Sequence, residues 1–332
     1  MMKGIWKEKI RPKVRGLYRI IEGLKGFTYD FNRFVRFGGW RENLNETETR
    51  NFNLAMAYHG LEKSLSYKKR NPKSGWSNAE RVFLRLQKAN STGEFGYHDI
   101  AASQVLQKFL NLPGNIEEKR AKEMLRFLVE LNLVSEEEHG AIERSYEDST
   151  LGKLENPEQF FLSRYSLREY KENGFVDEET VKRVVKMAMK TPSVCNRQEW
   201  HVYHTKDRDI MNTALKYQNG NRPFGDKIPN LFIVCIDLKA FFGGSEHYQH
   251  WIDGGLFSMS LIYALHSLGI ASCPLNWSQT PKADKAIRKV LQIKDNHTIM
   301  MMIGFGYPDT DNKVCSSTRR PVNEVLTNLM KK

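Results

Sequence analysis

Thr191-Pro192-Ser193-Val194-Cys195-Asn196-Arg197-Gln198-Glu199-Trp200 is the stretch on which the reading of this chain turns. Helical spacing leads into it: Val181, Val184, Val185 and Ala188 recur on one face. Asp177 stands at the N-cap position, and Glu178 and Glu179 fill the first turn, where the helix dipole favours acids. Pro192 ends that helix, and an extended segment, Trp200 to His204, follows. Between them Pro, Ser and Asn supply a fixed turn with exposed backbone groups, and Gln198 can hydrogen-bond a flat heterocycle. A purely structural turn accounts for the same residues.

Working outward, the downstream sequence alternates helices with short apolar strands, predicted at Leu231 to Ile236 and Thr298 to Ile303. Trp251 to Leu268 carries few polar residues round its circumference, so it reads as a buried helix ended by Gly269. Two further motifs lie here: Ser272-Cys273-Pro274-Leu275-Asn276-Trp277, and Gly304-Phe305-Gly306-Tyr307-Pro308 followed by Arg319-Arg320-Pro321. Upstream, Ser163-Arg164-Tyr165-Ser166-Leu167-Arg168-Glu169-Tyr170 sets two arginines and Ser166 at alternate positions. In an extended segment these share one side, which suits a phosphate or a ribityl chain; simple solvation of alternating cations is the plainer alternative.

Taken in order, these four motifs resemble the FMN-dependent nitroreductase family, whose domains open with Arg-x-Ser-x-Arg, continue with Pro-Ser-x-x-Asn-x-Gln-Pro-Trp, and close with Gly-Tyr-Pro and a late Arg before Pro. The resemblance runs from Gln159 to about Leu326. It implies an α+β fold, a mainly antiparallel sheet flanked by helices, and a homodimer with FMN at the interface. It further implies that Arg164, Tyr165, Ser166 and Arg168 bind the phosphate and ribityl end, with Arg319 returning to the phosphate. Pro192, Ser193, Asn196 and Gln198 would line the flavin, and Pro274, Leu275 and Asn276 would pass along its ring, the Asn276 backbone N–H near N5. Asn221 and Lys227 are further candidate contacts. The activity implied is hydride transfer from NAD(P)H through flavin N5 to a small, aromatic or conjugated acceptor by a ping-pong mechanism, with no catalytic side chain required. Glu199 stands where the family has proline and Trp277 where some members have a small residue, so both bear on the ring environment, as does the neighbouring Cys273.

Ahead of this domain the chain reads as mostly helical: Glu46 to Leu65, Ser77 to Lys88, Tyr97 to Leu110, Ile116 to Leu131 and Ser135 to Arg144. Glu62 with Lys63 belongs either to a site or, more simply, to a solvated helical face. A polar seam, Ser145 to Pro157, suggests three parts: a basic amphipathic segment 1–27, a helical extension 28–150 and the FMN domain 151–332. The first segment holds eight Lys or Arg against Glu8 and Glu22, half of the net charge of +12. Its apolar residues Trp6, Ile10, Val14, Leu17, Ile21 and Leu24 recur at helical spacing around Pro12, which makes it a candidate for peripheral membrane contact or, more plainly, for packing on the rest of the protein or on a second subunit. A non-catalytic flavin-fold protein whose basic helical half binds a membrane or protein is the alternative function. No aromatic-basic repeat points to nucleic acid, and no metal-ligand cluster, paired-carboxylate signature or nucleophilic triad can be read. Four dispersed cysteines and the lack of a long apolar run lead to the expectation of a cytoplasmic protein with free thiols.

Overall fold

The computed structural model describes residues 11–331. In its C-terminal half, β1 (Trp200–Thr205), β2 (Asn230–Asp237), β3 (Ala271–Asn276) and β4 (His297–Gly306) form an antiparallel sheet in the order β1-β2-β4-β3. β2 and β4 are central, and every β2 residue is buried, which is why these strands read as apolar runs without alternation. One sheet face packs through Ile233, Cys235 and Met302 on Met211 and Ile287. These last two belong to helices α9 (Arg208–Leu215) and α11 (Pro281–Val290). On the other face Phe232, Val234, Ile303 and Phe305 meet α8 (Glu178–Ala188) and α10 (Gln249–Ser267) through Val184, Phe257, Leu261 and Leu265. The result is the α+β arrangement expected, with Asp177 capping α8 by accepting the Thr180 N–H at 2.8 Å.

The N-terminal half is helical: α1 (Arg11–Phe37), α2 (Thr47–Ser66), α3 (Trp76–Thr92), α4 (Tyr97–Leu110) and α5 (Lys119–Leu131). α2 to α5 enclose their own core around Leu54, Leu61, Leu86, Leu106 and Phe109. Polar contacts join it to the sheet domain: Lys239 pairs with Glu46 and Glu48, and Lys294 with Glu48 at 2.6 Å. Between the halves lie two short helices, α6 (Tyr146–Thr150) and α7 (Pro157–Leu162), neither of which buries a residue. Among the described residues no helix is long and apolar enough to cross a membrane.

Three elements depart from expectation. Ser135 to Arg144 is irregular instead of helical, because Gly140 takes φ +105° and the acids of the segment are drawn outward to α4. Glu137 accepts the Tyr97 hydroxyl at 2.8 Å and Glu138 the Lys108 ammonium at 2.9 Å. α1 continues without interruption past Leu24 to Phe37, since Phe27, Phe31, Phe34 and Val35 keep the apolar spacing going. α10 buries only one side and leaves Trp251, Ile252 and Leu256 in solvent. Trp6 and Ile10 of the basic segment lie outside the described residues.

Candidate functional site

The outer edge of β3 gathers the first group of expected residues. Ser166 bridges Ser272 in parallel, and the Leu167 N–H donates to the Ser272 carbonyl at 3.1 Å, so the Arg-x-Ser-x-Arg segment runs as a short extra strand beside β3. Tyr170 locks its far end by donating to the Gly304 carbonyl at 3.2 Å. At the end of β4, glycine is needed where Gly174 and Pro229 pass close by: a Cβ on Gly306 would sit 2.9 Å from the Gly174 carbonyl and against the Pro229 ring. Arg164 and Arg168 are thereby held on one strip with Ser166, as alternation requires, and Tyr165 stands between them on the other side of the segment. Lys227 takes Glu169, the residue after Arg168, at 2.7 Å, which leaves both guanidiniums without a carboxylate partner among the described residues. Arg168 instead donates to the Ser166 carbonyl and lies 5.6 Å over the Phe224 ring.

Along β3, Pro274 is half-buried and Asn276, the last residue, is exposed. The Leu275 side chain points into the core, so what it offers this edge is backbone. Gln218, which the sequence did not single out, donates from Nε2 to the Asn276 carbonyl at 3.1 Å and fixes the strand end. Asn221 is spent inside the same turn, its amide donating to Leu215 and Gln218, and Lys227 is spent on Glu169, so neither adds a free contact. Burial pushes the Cys273 thiol up, against the pull of the nearby Arg168 and Arg164. Trp277 is buried, its indole N–H donating to Asp284 at 3.0 Å, so it supports the end of β3 from behind. Arg319 lies in the exposed C-terminal tail and donates to the Ser317 carbonyl of its own turn. Glu62 accepts from His59 at 2.9 Å on α2, so its carboxylate is engaged within its own helix.

The loop 192–198 forms the second group, at the start of β1. Three of its non-glycine residues, Cys195, Asn196 and Gln198, have φ of +51°, +54° and +56°, a left-handed conformation that surrounding contacts have to impose. The contacts are specific. Ser193 Oγ accepts the Gln198 N–H at 3.0 Å, and Asp253 of α10 accepts the Val194 N–H at 3.0 Å. Arg197, 2% exposed, reaches Glu246 at 2.7 Å and the Ala240 carbonyl at 2.8 Å. Pro192 is exposed, while Ser193, Asn196 and Gln198 are partly exposed on the loop surface. Glu199 is 1% exposed and faces inward; burial, then the adjacent Asp253, push its carboxyl up to about 9, so it holds its proton at neutral pH. Sequence spacing signalled nothing of Asp253, Glu246 or Gln218, because each acts through a partner distant in the chain.

The two groups occupy opposite edges of the sheet. β2 and β4 lie between β1 and β3, and three strand spacings amount to about 14 Å. One chain thus presents a cationic strip at one edge and a polar, backbone-rich loop at the other.

An α+β domain with these two groups is the class of protein that the fold and donor sets define. The family model described as "Nitroreductase family" matches residues 162–228 and 212–307, so the C-terminal half of this chain is a nitroreductase-family domain. A protein of Archaeoglobus fulgidus named "Putative NADH dehydrogenase/NAD(P)H nitroreductase" is 29% identical over 154 residues, covering 45% of this chain and 84% of that protein. One of the same name from Methanothermobacter thermautotrophicus is 26% identical over 153 residues, 44% of this chain and 74% of the relative. Among solved structures, a "putative nitroreductase in complex with fmn" from Desulfovibrio desulfuricans aligns over 54% of this chain and 100% of its own, at 19% identity and a TM-score of 0.46.

Proposed function

We propose that the C-terminal half is an FMN-dependent oxidoreductase that uses NAD(P)H to reduce a small aromatic or conjugated acceptor. The observation that carries this reading is the pair Arg164 and Arg168, held on one strip beside Ser166 with no carboxylate partner among the described residues. Two unpaired guanidiniums in that register fit a phosphate, whose oxygens accept charge-assisted bonds. FMN, when bound, supplies the hydride relay between nicotinamide and acceptor. The chain's own residues bind and orient. Arg164, Ser166 and Arg168 would hold the phosphate and ribityl hydroxyls, joined by Arg319 once the tail folds back, and Tyr165 would flank them. Pro274, Leu275 and the Asn276 backbone would align the ring at the end of β3, which Gln218 and Trp277 keep in place.

The loop residues Pro192, Ser193, Asn196 and Gln198 would complete the site from a second copy of the chain. The roughly 14 Å between sheet edges favours this, since the cationic strip and the loop of one chain lie at opposite edges of the sheet. The decisive experiment is the absorbance spectrum of the purified full chain before and after FMN addition, followed by NADH and NADPH oxidation with a nitroaromatic or a quinone. A colourless protein that takes up no FMN overturns the reading. The shared site is tested by mixing two inactive chains, one carrying Arg164→Ala with Arg168→Ala and the other Ser193→Ala with Asn196→Ala. Regained activity is expected, because one site of each mixed dimer carries no substitution.

A further inference from the structure

Over Tyr29 and Arg33, α1 is attached to the body by one side, and near its C-terminal end Phe34 packs on Ile236, Ala240 and Phe241. Tyr29 donates to Asp284 at 2.7 Å, Arg33 lies 3.9 Å from the same carboxylate and donates to the His297 carbonyl at 3.0 Å, and Asp284 is anchored by Trp277 and Arg288. At about 100° per residue, Tyr29 and Arg33 sit on the side opposite Leu17, Ile20, Leu24, Phe27 and Phe31. Those five residues fall within an arc of roughly 80° and are 60% to 75% exposed. The anchor therefore holds the helix with its apolar stripe turned outward. The stripe continues into an open groove of about 750 Å³ lined by Phe27, Phe31, Phe34, Val35, Trp40 and Trp251. Contiguous apolar surface on this scale marks an interaction site.

Charge decides the occupant. α1 carries seven Lys or Arg against Glu22 and Asp30, on a chain whose net charge is +12. Pairing the stripe with that of a second copy would bring two strongly cationic helices together, whereas an anionic bilayer meets the cations with opposite charge and receives the stripe among its acyl chains. The exposed Trp40, Tyr248 and Trp251 at the groove suit the boundary between headgroups and hydrocarbon.

We propose that α1 and the adjoining groove form a docking surface for an anionic membrane, with Leu17, Ile20, Leu24, Phe27 and Phe31 inserted and the basic residues of the helix at the headgroups. The full chain is sedimented with phosphatidylcholine vesicles and with vesicles containing about 30% phosphatidylglycerol. Binding to the anionic vesicles alone is expected, weakened at high salt and reduced at least tenfold by Leu24→Glu with Phe27→Glu and by Arg15→Gln with Arg19→Gln. All four positions are exposed, so unchanged melting temperatures are expected of both variants. Absence of binding, or equal binding to neutral vesicles, overturns the proposal. So does a shift from dimer to monomer when Leu24→Glu with Phe27→Glu is centrifuged without vesicles, which would make the stripe an interface between copies.

Discussion

The two edges of the sheet are organised in opposite ways. At the β1 edge, loop 192–198 is finished before any ligand arrives: three residues are forced into left-handed backbone, an internal serine and an aspartate from α10 hold its N–H groups, and a buried arginine pins it from below. At the β3 edge the cations stand open, bonded to little but their own backbone. The difference teaches where each group's energy resides. The loop is part of the fold, and its failure would appear as lost stability. The cationic strip contributes little to folding, and its failure would appear only when a phosphate is offered.

The largest effect expected is on the loop. Arg197→Met removes the cation from a largely buried pair and leaves the Glu246 carboxylate only the Phe242 and Gly243 N–H groups, a change that costs about 3 kcal/mol or roughly 6 to 12 °C in melting temperature. Thermal unfolding of the FMN-free protein checks it. A loss below about 1 kcal/mol would mean that the loop keeps its strained backbone without Arg197, and the contrast between the edges would collapse.

The matching change at the other edge is Arg164→Ala with Arg168→Ala. Removing two charge-assisted contacts at about 1.5 kcal/mol each weakens FMN binding about 100-fold, measured by fluorescence titration. The melting temperature of the FMN-free chain stays where it was, since neither guanidinium pairs with a carboxylate among the described residues. Parallel losses of stability would show the strip to be structural.

How much of this contrast the sequence disclosed follows from the range of each interaction. The β3 edge was legible because alternation puts Arg164, Ser166 and Arg168 on one side of any extended segment, whatever that segment pairs with. The central strands and the capped helix α8 were legible for the same local reasons. The strand Ala271–Asn276 was read only as a motif, because Pro274 and Cys273 obscure its alternation. What pins the loop was invisible: Asp253 lies 59 residues from the Val194 N–H that it accepts, and Glu246 lies 49 residues from Arg197. The segment Ser135 to Arg144 misled because its acids suggest a helical surface, whereas their partners, Tyr97 and Lys108, are on a neighbouring helix.

Glu199→Gln sharpens the account of the loop. The folded chain holds this carboxyl up at about 9, above its unfolded value near 4.5, so the native state binds the extra proton between those two pH values. Stability from this group is fully present below about pH 4.5 and is lost as pH rises through about 9. Glutamine mimics the protonated acid and does not titrate. The variant should match the wild type near pH 5 and exceed it by about 4 kcal/mol at pH 8, read from denaturant unfolding at each pH. A difference that does not change with pH would place the Glu199 carboxyl in contact with water.

The smallest effect tests whether the cationic strip is complete as it stands. Arg319 donates only to the Ser317 carbonyl of its own tail, so in the FMN-free chain its substitution removes nothing that the fold uses. If the tail folds back on the phosphate, Arg319→Ala costs one charge-assisted bond less the cost of ordering the tail, about 1 kcal/mol or fivefold in FMN affinity. That loss should shrink when Arg164 is already alanine, because two guanidiniums on one phosphate are coupled. Losses that simply multiply would place Arg319 away from the strip, and the β3 edge would then hold its phosphate with Arg164 and Arg168 alone.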